Sequence, residues 1–167
     1  MIKKILLVVA LCLPMFVSAQ KFAVVDVESV ITAMPEYTQM NTQLTETSRR
    51  YETEFTNLQE EINQLMTQYQ AIAEDAATPQ SIKDRRTQEI QEKMQRVEQF
   101  RNTAQQDLAR LQEQLLAPIT QKYQEAVKAV GTEQNFTFVL PNEPNLVIYA
   151  GPDVVNVTAA VKAKLGI

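Results

Sequence analysis

Apolar positions along the chain keep different rhythms in different stretches. Phe22-Ala23-Val24-Val25-Asp26-Val27 is a short, mostly apolar, β-prone run, which predicts a strand covered on both faces. Residues 28–33 have room for one helical turn, and Met34-Pro35-Glu36 follows, with proline where a helix opens readily. From residue 36 to residue 130 there is no glycine, and apolar residues recur at steps of three and four. Tyr51, Phe55, Leu58, Ile62, Leu65, Tyr69 and Ile72 form one stripe, which Met40 and Leu44 continue towards the N-terminus. A second stripe runs through Ile90, Met94, Val97, Ala104, Leu108, Leu111 and Leu115, with a weak step around Phe100 and Arg101. Two long helices with heptad-type seams are the economical reading.

Ala76-Ala77-Thr78-Pro79 divides the stripes, since proline disfavours helix in the residue before it and opens the next helix well. So short a connection near residues 76–79 makes the helices antiparallel neighbours. Folded back about this turn, Pro118 stands opposite Glu36 and beside Pro35. That level is read as the base of a projecting hairpin arm over residues 35–130, with the outgoing helix kinked near Pro118. Beyond Gly131 the chain regains strand character in residues 136–140. A turn over residues 141–145 and a second run, Leu146-Val147-Ile148-Tyr149, predict a β-hairpin. Asp153 is placed to cap a last helix with Val154, Val157, Val161 and Leu165 on one face. The predicted fold is α+β: a long antiparallel helical hairpin projecting from a small β body built by residues 20–34 and 131–167.

The first residues read as an address. Met1-Ile2-Lys3-Lys4 is cationic, residues 5–13 are a nine-residue apolar run, and Val17-Ser18-Ala19 is a small-residue exit. This predicts a secretory signal peptide over residues 1–19, too short in its apolar run for a spanning helix. Cys12 lies inside that run behind bulky Leu11, unlike a lipidation site, so the mature chain of 148 residues has no cysteine and no disulfide. It also has no further segment apolar enough to be transmembrane.

Composition then narrows the chemistry. The chain has no His, which removes Ser-His-Asp and Cys-His relays and His-ligated zinc or haem. Its three glycines, Gly131, Gly151 and Gly166, are scattered, so no phosphate-cradling loop exists. No cofactor, metal or catalytic residue is assigned, and the chain is read as a non-enzyme. Asp26 with Glu28 imitates an acid-base pair, and Glu60-Glu61 with Glu52 and Glu54 a cation site, but solvated ends and faces describe them better. After loss of Lys3 and Lys4 the chain holds 14 basic and 20 acidic residues, which argues against nucleic acid and anionic lipid as partners. Lys83, Arg85 and Arg86 make the compact basic cluster at the arm tip, a client contact or, as the blander reading, partners for Glu74, Asp75 and Asp84.

Outside the arm only 52 residues remain, too few for an ample core, and three short apolar strands leave open edges. A homo-oligomer cures both defects, its body drawing on Phe22, Val24, Val25, Phe136, Phe138, Leu140, Val147 and Tyr149. The arm has no third helix over its flanks, which predicts that it bends and splays.

In order of elements the chain resembles the Skp/OmpH family of periplasmic chaperones. The likeness runs through Phe22-Ala23-Val24-Val25-Asp26-Val27-Glu28-Ser29, the Met34-Pro35-Glu36-Tyr37 helix entry, the long hairpin, the Leu116-Ala117-Pro118-Ile119 break and the closing strands. The resemblance implies a homotrimer in the periplasm with three helical tentacles, an ATP-independent holdase for unfolded outer-membrane β-barrel proteins. The family's best-studied members have strongly basic tentacles, whereas residues 36–130 here carry 11 basic and 15 acidic side chains, which counts against electrostatic capture of acidic clients or lipopolysaccharide. Gln-rich helix faces and Met40, Met66 and Met94 supply adaptable contacts instead. The competing reading is a structural coiled-coil adaptor in an envelope-spanning assembly; it calls for an apolar outer stripe, where this arm shows mainly Gln, Glu, Thr and Arg.

Overall fold

A computed structural model describes residues 21–167. The signal peptide expected over residues 1–19, Cys12 within it, lies outside the described residues. Strand β1, Phe22–Val25, has Ala23, Val24 and Val25 buried. Asp26 ends it and starts helix α1, Val27–Ala33, because its carboxylate accepts from the Ser29 backbone N–H at 2.9 Å. Asp26 thus serves as a helix cap, in keeping with its reading as a strand end. Met34 stays extended, as a residue before proline must, and Pro35 is the first residue of helix α2, Pro35–Ala73.

Helix α2 closes at Glu74, and helix α3, Gln80–Glu133, opens after Pro79. With 39 and 54 residues they are about 58 and 80 Å long. The extra length of α3 runs under the sheet, and the helix continues past Pro118 as expected and reaches Glu133, slightly beyond the end expected near residue 130. A helix can carry an internal proline when the rest of its ladder and its packing hold the line; Ile119, the next residue, is buried against Met34 and Met40.

The sheet departs from the expected hairpin. Strand β2, Phe138–Pro141, and strand β3, Val155–Asn156, flank β1 in the order β2-β1-β3, both parallel to it. Parallel strands need a long crossover, and the arm supplies one between β1 and β2. Residues 146–149 form no strand: Pro144 precedes them, and the Glu143 carbonyl accepts from the N–H groups of Leu146 and Val147 at 2.9 Å each, a helical turn that steers the segment off β2. Helix α4, Thr158–Leu165, begins after Val157, not at Asp153; Asn156 Oδ1 accepts from Thr158 N at 3.0 Å, and Gly166 closes it at φ 78°. Val157 and Val161 are nonetheless its buried face.

Two clusters make the core. Ala23, Val25, Val30, Ala126, Val130, Val157 and Val161 join sheet, α1, α3 and α4. At Gly131 an added Cβ would lie 3.5 Å from Val139, so α3 comes down close on β2 there. Met34, Met40 and Ile119 form the second cluster at the arm base. The architecture is thus mostly helical, with a small parallel sheet from the two ends of the chain.

Candidate functional site

The arm is α2 laid against the first part of α3. Its seam holds few fully buried residues: between residues 41 and 115 they are Leu58, Ile90 and Ala104. Tyr51, Phe55, Ile62, Leu65, Tyr69, Val97, Leu108, Leu111 and Leu115 are half-buried along the same line. Met94, expected in the seam, is 55 % exposed. The reason is the seam's register: along the middle of the arm Lys93, Phe100 and Asp107, seven residues apart, face α2, and Met94 and Arg101 turn outward.

Those three side chains make cross-leg contacts that the apolar stripes do not reveal. Lys93 Nζ donates to Glu61 Oε2 at 2.5 Å, Phe100 meets the Tyr51 ring edge-on at 5.8 Å, and the Tyr51 hydroxyl donates to Asp107 Oδ2 at 3.1 Å. Partial burial, reinforced by the Asp107 hydrogen bond, pushes the Tyr51 phenol above its ordinary pKa. Reading residues 93, 100 and 107 as one heptad position, despite two being charged, would have found them. At the base Lys122 donates to the Glu36 carboxylate, which holds Glu36 below the usual glutamate value.

At the tip the basic cluster is dispersed. Lys83 Nζ donates to the carbonyls of Ala73 and Asp75 at 2.8 and 2.9 Å, capping the end of α2, and Arg86 pairs with Glu89 at 2.6 Å. Asp84 accepts from Gln80 instead of a cation. Arg85 is exposed and has no ion pair among the described residues. Helix ends expose unpaired carbonyls, so a lysine ten residues past Ala73 is drawn to them before it can serve a ligand. Asp75 in turn accepts from Ala77 N and Thr78 Oγ1, which lower its pKa in that order.

Shallow hollows lie along one flank of the arm. One, of about 630 Å³, has Leu44 and Leu108 in its floor and Thr45, Ser48, Arg49 and Glu52 at its rim. Another, of about 390 Å³, lies between Ile62, Met94 and Val97, with Gln59, Asn63 and Glu98 around it. Thr45, Glu52 and Gln59 stand seven residues apart, as do Met94, Arg101 and Leu108, so both hollows belong to the same side.

At the sheet end, Val24 and Val25 are buried within the chain, and Phe136, Val139 and Val147 are half-buried. Phe22 and Phe138 stack at 6.2 Å and remain 40 % and 60 % exposed, next to exposed Leu140 and Val155. Ile148 and Tyr149 are 95 % and 82 % exposed. No helix among the described residues is long and apolar enough to cross a membrane.

The order of elements carries over to comparison with known proteins: residues 21–165 match the family described as outer membrane protein (OmpH-like). The chain belongs to the OmpH-like family. A crystal structure from Caulobacter crescentus, described as a candidate outer membrane chaperone (OmpH-like), superposes with a TM-score of 0.74 at 15% identity, over 88% of this chain and 84% of that one. At that identity the likeness shows the OmpH-like fold, long helices with a small sheet from both chain ends. No curated protein sequence matches the chain.

Proposed function

We propose that this OmpH-like protein is an ATP-independent periplasmic holdase that keeps unfolded outer-membrane β-barrel proteins from aggregating between its arms. The reading takes residues 20–34 and 131–167 as a body through which three copies associate, and residues 35–130 as the arm. The observation that carries it is the arm itself: two legs with a thin seam, bathed in solvent, and furrowed along one flank by apolar hollows with polar rims. An unfolded chain offers scattered apolar side chains and unpaired amides. Hollows floored by Leu, Ile and Met and edged by Thr, Ser, Gln and Asn can meet both, each weakly. Several such contacts on tethered arms retain a client while every one stays exchangeable. The near-balance of charge on the arm favours this mode over electrostatic capture, and lipopolysaccharide is not part of the proposal.

The test is dilution of a urea-unfolded β-barrel membrane protein into buffer with the purified mature chain and no nucleotide. Light scattering should stay low at one client per oligomer. Unchanged aggregation, together with tight binding to a folded envelope protein, would instead support a coiled-coil adaptor.

A further inference from the structure

The methionines of the described chain fall into two pairs. Met34 and Met40 are 1 % and 5 % exposed, packed with Ile119 at the arm base, whereas Met66 and Met94 are 44 % and 55 % exposed on the arm. The exposed pair shares one flank. Met94 lines the hollow of about 390 Å³ together with Ile62 and Val97, and Met66 stands seven residues beyond Gln59, in the row that edges the same hollow. Apart from Cys12, within the expected signal peptide, the chain has no cysteine, and it has neither tryptophan nor histidine. The thioethers of Met66 and Met94 are therefore the most readily oxidised accessible groups of the mature chain.

We infer that Met66 and Met94 are a modification site for peroxide, and that their conversion to sulfoxides weakens the grip of this flank on apolar client segments. The consequence for clients rests on the holdase reading; the modification itself rests on exposure. In the reaction the Sδ lone pair attacks a peroxide oxygen, the O–O bond breaks and an S–O bond forms. The departing hydroxide takes the proton of the transferred hydroxyl and leaves as water, so sulfur loses two electrons and the peroxide gains them. A soft apolar side chain becomes a polar, strongly hydrated one. In a hollow whose apolar lining is Ile62, Met94 and Val97, an apolar client group would then have to strip water from the new oxygen. Peroxide reaches Met34 and Met40 only when the arm base opens, so the fold outlasts a dose that modifies the flank. Reduction of the sulfoxides reverses the change.

The test treats the purified mature chain with hydrogen peroxide, which catalase removes before any client is added. Peptide mass spectrometry over time should show a gain of one oxygen at Met66 and at Met94 while Met34 and Met40 stay unmodified, with far-UV circular dichroism and the thermal transition unchanged. The treated chain should suppress aggregation of the urea-unfolded β-barrel protein less well. Two methionine sulfoxide reductases with dithiothreitol, one enzyme for each sulfoxide epimer, should restore the suppression. In the double variant Met66→Leu with Met94→Leu, suppression should be the same before and after peroxide, at whatever level it starts. Equal oxidation of all four methionines, or faster oxidation of the base pair, overturns the site. Undiminished suppression by the chain oxidised at both positions, loss that the reductases do not reverse, or equal loss in the leucine variant overturns the regulation and leaves the holdase reading standing. A chain that suppresses nothing before peroxide counts against the holdase and the regulation together, while the oxidation pattern still decides the site.

Discussion

Lys83 illustrates how a single side chain acts where charge counting misleads. Its ammonium is spent on two carbonyls at the end of α2, so it closes the arm tip and leaves Arg85 as the cation of its cluster without an ion pair among the described residues. Lys83→Met is expected to loosen the turn by about 1 kcal/mol, the usual worth of such hydrogen bonds, seen as faster amide exchange at residues 73–79 with the base unaffected. Leu58 makes the opposite case, an ordinary apolar residue on which the arm depends. It is buried in a seam with few other buried residues, so Leu58→Ala should destabilise by about 2 kcal/mol or more, read from the arm's thermal transition. The apolar stripes found Leu58 at once. They missed Lys93, Phe100 and Asp107, because a charged residue at a seam position looks like a break until its partner on the other leg is known.

At the scale of elements, the arm base combines an internal proline with an ion pair across the legs. The Lys122 hydrogen bond keeps the Glu36 pKa below the ordinary 4.5. A carboxyl so depressed adds stability above its unfolded-state value and loses it as pH falls through the folded one. Amide protection factors in the first turns of α2, corrected for intrinsic exchange, should therefore fall as pH drops below the ordinary glutamate value, an effect that Lys122→Met should abolish. Pro118 breaks one rung of the α3 ladder yet leaves the helix continuous. Pro118→Ala should stabilise the chain, by at most about 3 kcal/mol, and narrow the spread of tip-to-base distances between paired spin labels. Both long helices were legible from their stripes and prolines. The strand pairing was not: residues 146–149 have a strand's composition, but whether a strand forms depends on a neighbouring edge, and the Glu143 turn denies it the near one.

For the molecule as a whole, α3 is the ruler. It spans about 80 Å in one element, so small-angle scattering should give a maximum dimension of at least that length. A compact globule of this chain length would be much shorter and would exclude the arm. The far part of the arm is two helices with nothing over them, while the sheet end carries a packed valine core. Exchange protection should accordingly rise from tip to sheet.

The two long helices and their antiparallel legs could be read from residue types and spacing, since helix periodicity and proline act locally. Parallel pairing of β2 and β3 with β1, the inward turn of Lys93 and Asp107, and the diversion of Lys83 to helix-end carbonyls became visible in three dimensions alone. Each depends on which distant group arrives beside which, and that is set when α3 returns along α2 and lands beneath the sheet.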